Sequence, residues 1–227
     1  CGDAFGGYGA RALLGDWALL STFDVVFLNC GLNVDFLHPD SRPMVENMRR
    51  FVEGGGSFYV SDLAAGAIEA AWPDKVQFRV EERFSSPNPS PCCNCVNCPA
   101  ECNARIDGRR DIGPACAGTT SADLFCDEAG VDGSGEPGLR RATIRSPALR
   151  DSLGRDSLDI RFELGGWMEI ARVGEGVEVL VEANGEPLMV RFEDRSSGGR
   201  VAYTTFHNEA QVAADVEEIL RALVFQL

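Results

Sequence analysis

Seven of the nine cysteines lie in one short window rich in Pro, Asn, Ser and Gly. A window of this kind has no hydrophobic periodicity and buries little apolar surface, so cross-links are the usual means of ordering it. We therefore predict disulfides here, with Cys1 as an eighth member and Cys30 as a buried free thiol. The disulfide candidates are Cys1, Cys92, Cys93, Cys95, Cys98, Cys102, Cys116 and Cys126.

Two metal sites are alternatives at the same cysteines. Cys92, Cys95, Cys98 and Cys102 have the spacing of bacterial ferredoxins, with Asn103 where those proteins usually have proline. In that pattern the fourth cysteine serves a second cluster, for which this sequence has no second run. Zinc would take four thiolates, or cysteines with histidines, and the two histidines lie far from the window. Disulfides are favoured, and iron–sulfur and zinc sites stay open.

An acidic segment in the same region suggests one further cation. Its carboxylates could bind calcium, but they lack the alternating pattern and the bidentate glutamate of the calcium loop motif. A solvated acidic loop is the favoured interpretation. The segment contains Asp123, Asp127, Glu128 and Asp132.

The charge of the chain excludes several classes of partner. A formal net charge of −14 repels phosphate backbones and anionic lipid, so we predict no nucleic-acid partner. No apolar run approaches the roughly 20 residues that a bilayer span needs, so we also predict no transmembrane segment. The cysteine density favours an exported bacterial protein, extracellular or in the cell envelope. Whether Cys1 carries a lipid is left open.

The elements that must position any site follow from hydrophobic patterning. Apolar residues at helical spacing in 11–20 precede a continuous apolar strand at 23–30. A helix begins near Pro43 and ends at the glycines 54–56, and Ser57–Ser61 is a second buried strand that turns at Asp62 into an alanine-rich helix. This alternation with short connections predicts right-handed parallel crossovers.

The regular hydrophobic pattern is lost after the first part of the chain and is found again later. We divide the chain into a first α/β part at 1–82, a cysteine-rich insertion at 83–150 and a second α/β part at 151–227. The second part contains five strand-like runs, a hairpin signal at Asn184-Gly185 and a final amphipathic helix. The alternation of strands and helices, with the strands that follow, predicts an α/β fold with a mostly parallel sheet and a disulfide-stapled insertion.

Three segments together resemble the class I glutamine amidotransferase-like family. They are FDVVFLNCG at 23–31, FVEGGGSFYVSDLAAG at 51–66 and GRVAYTTFHNE at 199–209. The resemblance to this family, which includes trehalose-utilisation-type relatives, implies a three-layer, flavodoxin-like fold for this chain. Family members have a sharp elbow carrying the nucleophile and a late Phe-His-Pro-Glu motif. Here Asn208 replaces that proline. The resemblance covers residues 11–75 and 165–227.

The resemblance implies His207 as base and Glu209 as its orienting carboxylate. An elbow nucleophile needs small neighbours two residues away on either side, and neither Ser61 nor Asp62 has both. No cysteine is present there, so glutamine hydrolysis through a thioester is not expected. In structural roles, Asp62 and Glu209 would instead cap helices and His207 would bond to backbone.

Family members also begin with a strand that residues 1–22 do not contain. A parallel sheet without that strand exposes unpaired backbone, so we expect a protein partner or an N-terminal segment to complete the sheet. The first functional hypothesis is a non-catalytic binding or assembly domain, a pseudoenzyme. The alternatives are a serine hydrolase using Ser61, His207 and Glu209, and an iron–sulfur or zinc module in the insertion.

Overall fold

The computed structural model describes residues 9–29, 34, 36, 39–79, 105–106, 109–110, 135–163, 165–206 and 214–224. The first part of the chain alternates helices and strands, as the patterning predicts. Its elements are α1 (Ala10–Gly15), α2 (Trp17–Leu20), β1 (Val25–Leu28), α3 (Arg42–Glu53), β2 (Ser57–Ser61) and α4 (Ala65–Ala71), with short 3-10 turns at Pro39–Ser41 and Asp62–Ala64.

Local signals explain where these elements begin and end. The Asp16 carboxylate accepts hydrogen bonds from the backbone N–H groups of Ala18 and Leu19, so it caps the start of α2. Pro43 lies in the first turn of α3, where its missing N–H costs nothing. Gly55, at φ 97°, takes the chain out of α3 into β2.

The later part of the chain is dominated by strands. Asn184 and Gly185 both have positive φ, at 53° and 83°, which confirms the predicted hairpin turn. The elements are β3 (Val76–Phe78), β4 (Arg105–Ile106), β5 (Arg109–Arg110), β6 (Gly138–Ile144), α5 (Pro147–Leu153), β7 (Ser157–Phe162), β8 (Ile170–Val173), β9 (Val177–Ala183), β10 (Glu186–Glu193), β11 (Arg200–Thr204) and α6 (Ala214–Val224).

Seven strands form one mixed sheet in the order β1-β2-β11-β10-β9-β6-β7. The pairs β1–β2 and β2–β11 are parallel, whereas the other four pairings are antiparallel. The predicted mostly parallel, flavodoxin-like sheet is therefore wrong. Antiparallel neighbours need only short turns, and the two-residue turn between β9 and β10 forces that direction, whereas a parallel pair needs a long crossover. The strands β3 and β8, and β4 and β5, form two separate antiparallel pairs.

The description of the insertion as disulfide-stapled is also not retained. The structure shows no disulfide in the residues that it describes, and these include none of the nine cysteines. The eight disulfide candidates and Cys30 all lie outside the described residues. Within the interval predicted as an insertion, β6 and the start of α5 belong to the main sheet and its covering layer.

Alternating residues of the central strands enter two separate cores. Phe58 and Val60 of β2 pack with α1 to α4, while Tyr59 packs with α5 and α6. Tyr203 and Ala202 of β11 divide in the same way. Because successive side chains of a strand point to opposite faces, helices cover the sheet on both sides, and β2 is buried at all five positions.

Candidate functional site

The sharpest backbone turn at a predicted site residue lies where β2 ends. Ser61 is still extended, at φ −130° and ψ 141°, and its Cα is paired with that of Thr204 in β11. The next residue, Asp62, has φ 43° and begins the 3-10 turn that leads into α4. A non-glycine residue in the left-handed region is uncommon, although aspartate tolerates it better than most. The strained position of the elbow is therefore Asp62 and not Ser61.

Both polar ends of Asp62 are bonded to a neighbouring segment or strand. Its Oδ1 accepts a hydrogen bond of 2.9 Å from the backbone N–H of Met168. Its carbonyl oxygen accepts one of 3.0 Å from the hydroxyl of Tyr203. Met168 is 0% exposed and belongs to the core on the α1 to α4 side, so the segment before β8 packs directly against the elbow. These contacts are what hold the left-handed turn in place.

A pair of buried hydroxyl groups lies beside the elbow. The Tyr59 hydroxyl and Thr204 Oγ1 are 2.7 Å apart, and Thr204 Oγ1 donates to the carbonyl of Phe206 at 3.0 Å. Since a threonine hydroxyl has only one proton, Tyr59 must be the donor to Thr204. Burial raises the pKa of Tyr59 well above its ordinary value, so the phenol stays protonated and keeps donating.

The structure places only two of the four predicted catalytic candidates. Ser61 is 0% exposed and Asp62 is 1% exposed, so both lie inside the protein. His207 and Glu209 lie outside the described residues, so the predicted Ser61, His207 and Glu209 triad stays a prediction. β11, which leads to them, ends beside the elbow, because Thr204 pairs with Ser61.

The predicted metal sites cannot be placed either. The weak iron–sulfur or zinc ligands Cys92, Cys95, Cys98 and Cys102 lie outside the described residues, as does the calcium candidate segment Asp123, Asp127, Glu128 and Asp132. Within the part of the chain that the structure describes, no group of three or more metal-ligating side chains comes together.

The chain is similar in fold to solved structures. No family model matches it, and no curated protein matches it. It is similar to the solved structure of cytoplasmic protein STM3548 from Salmonella typhimurium, with 12% identity, a TM-score of 0.51 and coverage of 96% of this chain and 78% of that chain. It is also similar to the mmIFT52 N-terminal domain, with 9% identity, a TM-score of 0.52 and coverage of 93% and 79%.

A third similar structure is β-galactosidase from Bacillus circulans sp. alkalophilus, with 15% identity and a TM-score of 0.41 over 91% of this chain and 23% of that chain. At these identities the first two structures show a shared fold alone. In the described residues no helix is long and apolar enough to cross a membrane.

The residues that complete the elbow were not singled out from the sequence. They are Tyr59, Met168, Tyr203 and Thr204, contributed by β2, β11 and the segment before β8. One available signal was the two tyrosines inside apolar strands, because a buried phenol needs a hydrogen-bond partner. The contact with Met168 joins residues 106 positions apart in the chain, and no local pattern signals it.

Proposed function

We propose that this chain is a non-catalytic, amidotransferase-like domain that works in binding or assembly. The observation that carries the proposal is the state of the elbow: the Asp62 carboxylate is buried and accepts the N–H of Met168. A group that reacts with a substrate must approach the reacting atom to about 3 Å, which requires a side chain open to a cleft. Here the elbow residue anchors backbone instead.

Ser61 supports the same proposal. Its side chain shares a strand face with Ser57 and Tyr59, because residues two apart in a strand point the same way. That face packs against α5 and α6, and Ser61 has no exposed surface. An exposed nucleophile on a strained turn is the arrangement that elbow hydrolases need, and Ser61 is neither exposed nor at the left-handed position.

Treatment with a fluorophosphonate probe and with glutamine, ester and peptide substrates tests the lack of catalysis. We expect no labelling and no turnover above the buffer rate. Turnover or labelling that disappears in Ser61→Ala or His207→Ala would overturn the proposal. Ser57→Ala is the matched control, because Ser57 is a buried serine of the same strand, at 1% exposure. Far-ultraviolet circular dichroism checks that each variant is folded.

The binding role is proposed together with a location and a partner. Cysteine-dense windows are typical of exported chains, so we propose that the domain works outside the cytoplasm. Fractionation of cells that produce the tagged protein tests this, and recovery in the cytosolic fraction contradicts it. We further propose that a partner protein completes the sheet. In the described part of the chain, β1 is the last strand on its side of the sheet.

A further inference from the structure

The two edges of the seven-stranded sheet differ in character. β7 carries Asp159 and Arg161 among its six residues, and Asp159 forms an ion pair of 3.1 Å with Arg141 of β6. Charged side chains on an edge strand discourage pairing with other chains. β1 has the sequence VVFL and carries no charge. Of the two edges, β1 is the one whose side chains permit another strand to add.

The backbone of β1 presents hydrogen-bonding groups on its outer side. The N–H of Ser57 in β2 donates to the carbonyl of Asp24 at 2.9 Å. Because the N–H and C=O of alternate residues in a strand point to the same side, Val26 and Leu28 also face β2. The N–H and C=O groups of Val25 and Phe27 therefore face away from β2, where the described residues contribute no strand.

The side chains of β1 are covered on one face only. Val26 and Leu28 point into the core on the α1 to α4 side and are 5% and 2% exposed. Phe27 points to the opposite face, where its ring contacts that of Tyr59 at 5.3 Å between centroids, and it is 43% exposed. A strand added beside β1 with an apolar residue next to Phe27 would cover this ring.

The charge of the protein restricts what can bind there. Asp24, which immediately precedes β1, is exposed, and the described residues give its carboxylate no ion pair. The chain as a whole has a net charge of −14, so a second copy would bring the same excess of negative charge to the edge. A neutral-to-basic partner avoids this repulsion and can pair a cation with Asp24.

We propose that the β1 edge binds an extended segment of a basic partner protein by strand addition. The segment pairs its backbone with Val25 and Phe27, places an apolar side chain beside Phe27 and a Lys or Arg near Asp24. Main-chain bonds provide the affinity, while the side chains on either face provide the specificity. This inference rests on the proposed binding function and names the chemistry of the partner.

Amide hydrogen exchange of the protein, followed by NMR, tests the inference. The probe is an acetylated, amidated peptide of sequence Arg-Val-Thr-Val-Thr-Val-Arg. Without peptide, we expect Val25 and Phe27 to exchange quickly and Val26 and Leu28 slowly. With peptide, the exchange of Val25 and Phe27 should slow by about tenfold or more, because these amides become bonded. The same peptide with Glu in place of both Arg residues should bind several times more weakly, and added salt should reduce this difference.

Two variants at one position separate the backbone from the side chain. Phe27→Pro removes an outward N–H without removing a bond to β2, and should abolish the protection of Val25. Phe27→Thr keeps the N–H and a good strand former, so it should still bind the peptide, with lower affinity. Circular dichroism and the persistence of the Val26 and Leu28 protection show that both variants are folded.

Several results would overturn the inference. These are slow exchange of Val25 and Phe27 in the free monomer, equal binding of the Arg and Glu peptides, and unchanged binding by Phe27→Pro. Concentration-dependent dimerisation that itself protects Val25 and Phe27 would identify a second copy as the occupant and also overturn it. The substrate assays are run on the same samples: turnover with peptide binding refutes only the non-catalytic proposal, whereas no turnover and no binding refutes only the β1 edge.

Discussion

Substitution of Asp62 tests whether the elbow is a structural brace. Removing the carboxylate in Asp62→Ala leaves the buried N–H of Met168 without the acceptor seen at 2.9 Å. Loss of a hydrogen bond to a charged group costs about 1.5–3 kcal/mol. Alanine also tolerates the left-handed region poorly, at a cost of about 1–2 kcal/mol. We therefore expect Asp62→Ala to lower the free energy of unfolding by about 3 kcal/mol.

Two further variants divide that loss into its parts. Asp62→Gly loses the same hydrogen bond but relieves the strain at φ 43°, so the loss should fall to about 1–2 kcal/mol. Asp62→Asn keeps an oxygen acceptor and tolerates positive φ, so it should stay within about 1 kcal/mol of the natural protein. The predicted order of stability is Asn above Gly above Ala.

Urea unfolding followed by circular dichroism measures this series. In thermal unfolding, 3 kcal/mol corresponds to a midpoint lower by about 6–12 °C for a chain of this length. Asp151→Ala, at an exposed aspartate of α5, is the control and should change the free energy by less than about 0.5 kcal/mol. An Asp62→Ala variant as stable as the natural protein, or a glycine variant less stable than the alanine variant, refutes the brace.

Three further predictions follow from buried groups and close contacts. Burial raises the pKa of Tyr59 above its ordinary value near 10, so above pH 10 the unfolded state loses a proton that the folded state keeps. The free energy of unfolding should therefore fall by up to about 1.4 kcal/mol per pH unit. Tyr59→Phe should flatten this alkaline loss in urea titrations, and an unchanged slope would contradict the prediction. Burial also raises the pKa of Glu69, because it disfavours the charged carboxylate. The free energy of unfolding therefore decreases as the pH rises above the ordinary pKa of glutamate. Glu69→Gln, whose side chain stays neutral, should be more stable than the natural protein at pH 7 but not at pH 4. Gly199→Ala would press a methyl group against the carbonyls of Val52 and Gly56 and should cost about 1–3 kcal/mol of stability. Gly66→Ala, with open space in α4, should be neutral or stabilising by up to about 1 kcal/mol. Equal thermal midpoints for the two variants would refute the close approach at Gly199.

The local elements could be predicted from the sequence because their signals are local. The run at 23–30, the helix from Pro43 and the strand Ser57–Ser61 all have a single apolar pattern with clear end signals, and the structure confirms them. The parallel pairing of β1 with β2 is confirmed as well. Here a helix connects two apolar strands, and such crossovers are nearly always parallel and right-handed.

The sheet as a whole could not be predicted in this way. The later strands were assigned to a parallel sheet through the family resemblance, although their hairpin signal at Asn184-Gly185 favours antiparallel neighbours. The order β11-β10-β9-β6-β7 depends on pairings between distant residues, such as Thr143 with Glu182. Register over such separations is set by side-chain burial on both faces, which local patterning does not reveal.

The candidate site shows the same division. Asp62 was identified as the elbow because the change from strand to helix is visible in the sequence, and its φ of 43° agrees with a sharp turn there. Whether that turn serves catalysis or structure depends on what lies against it. The N–H of Met168 donates to Asp62 Oδ1 and the hydroxyl of Tyr203 donates to the Asp62 carbonyl, and both donors come from distant segments of the chain.

The two kinds of pairing in the sheet therefore have different consequences for function. The parallel strands β1, β2 and β11 have their carboxyl ends on the same side of the sheet, and ligands bind at such strand ends in open α/β folds. The segment that joins β7 to β8 packs against these strand ends, where the N–H of Met168 donates to Asp62 Oδ1. Because we propose that this protein binds its partner at the outer side of β1 and not at the strand ends, the Asp62 variants should alter stability while the Phe27 variants alter peptide binding. Stability and binding effects that coincide at either residue would show that elbow and edge act as one site.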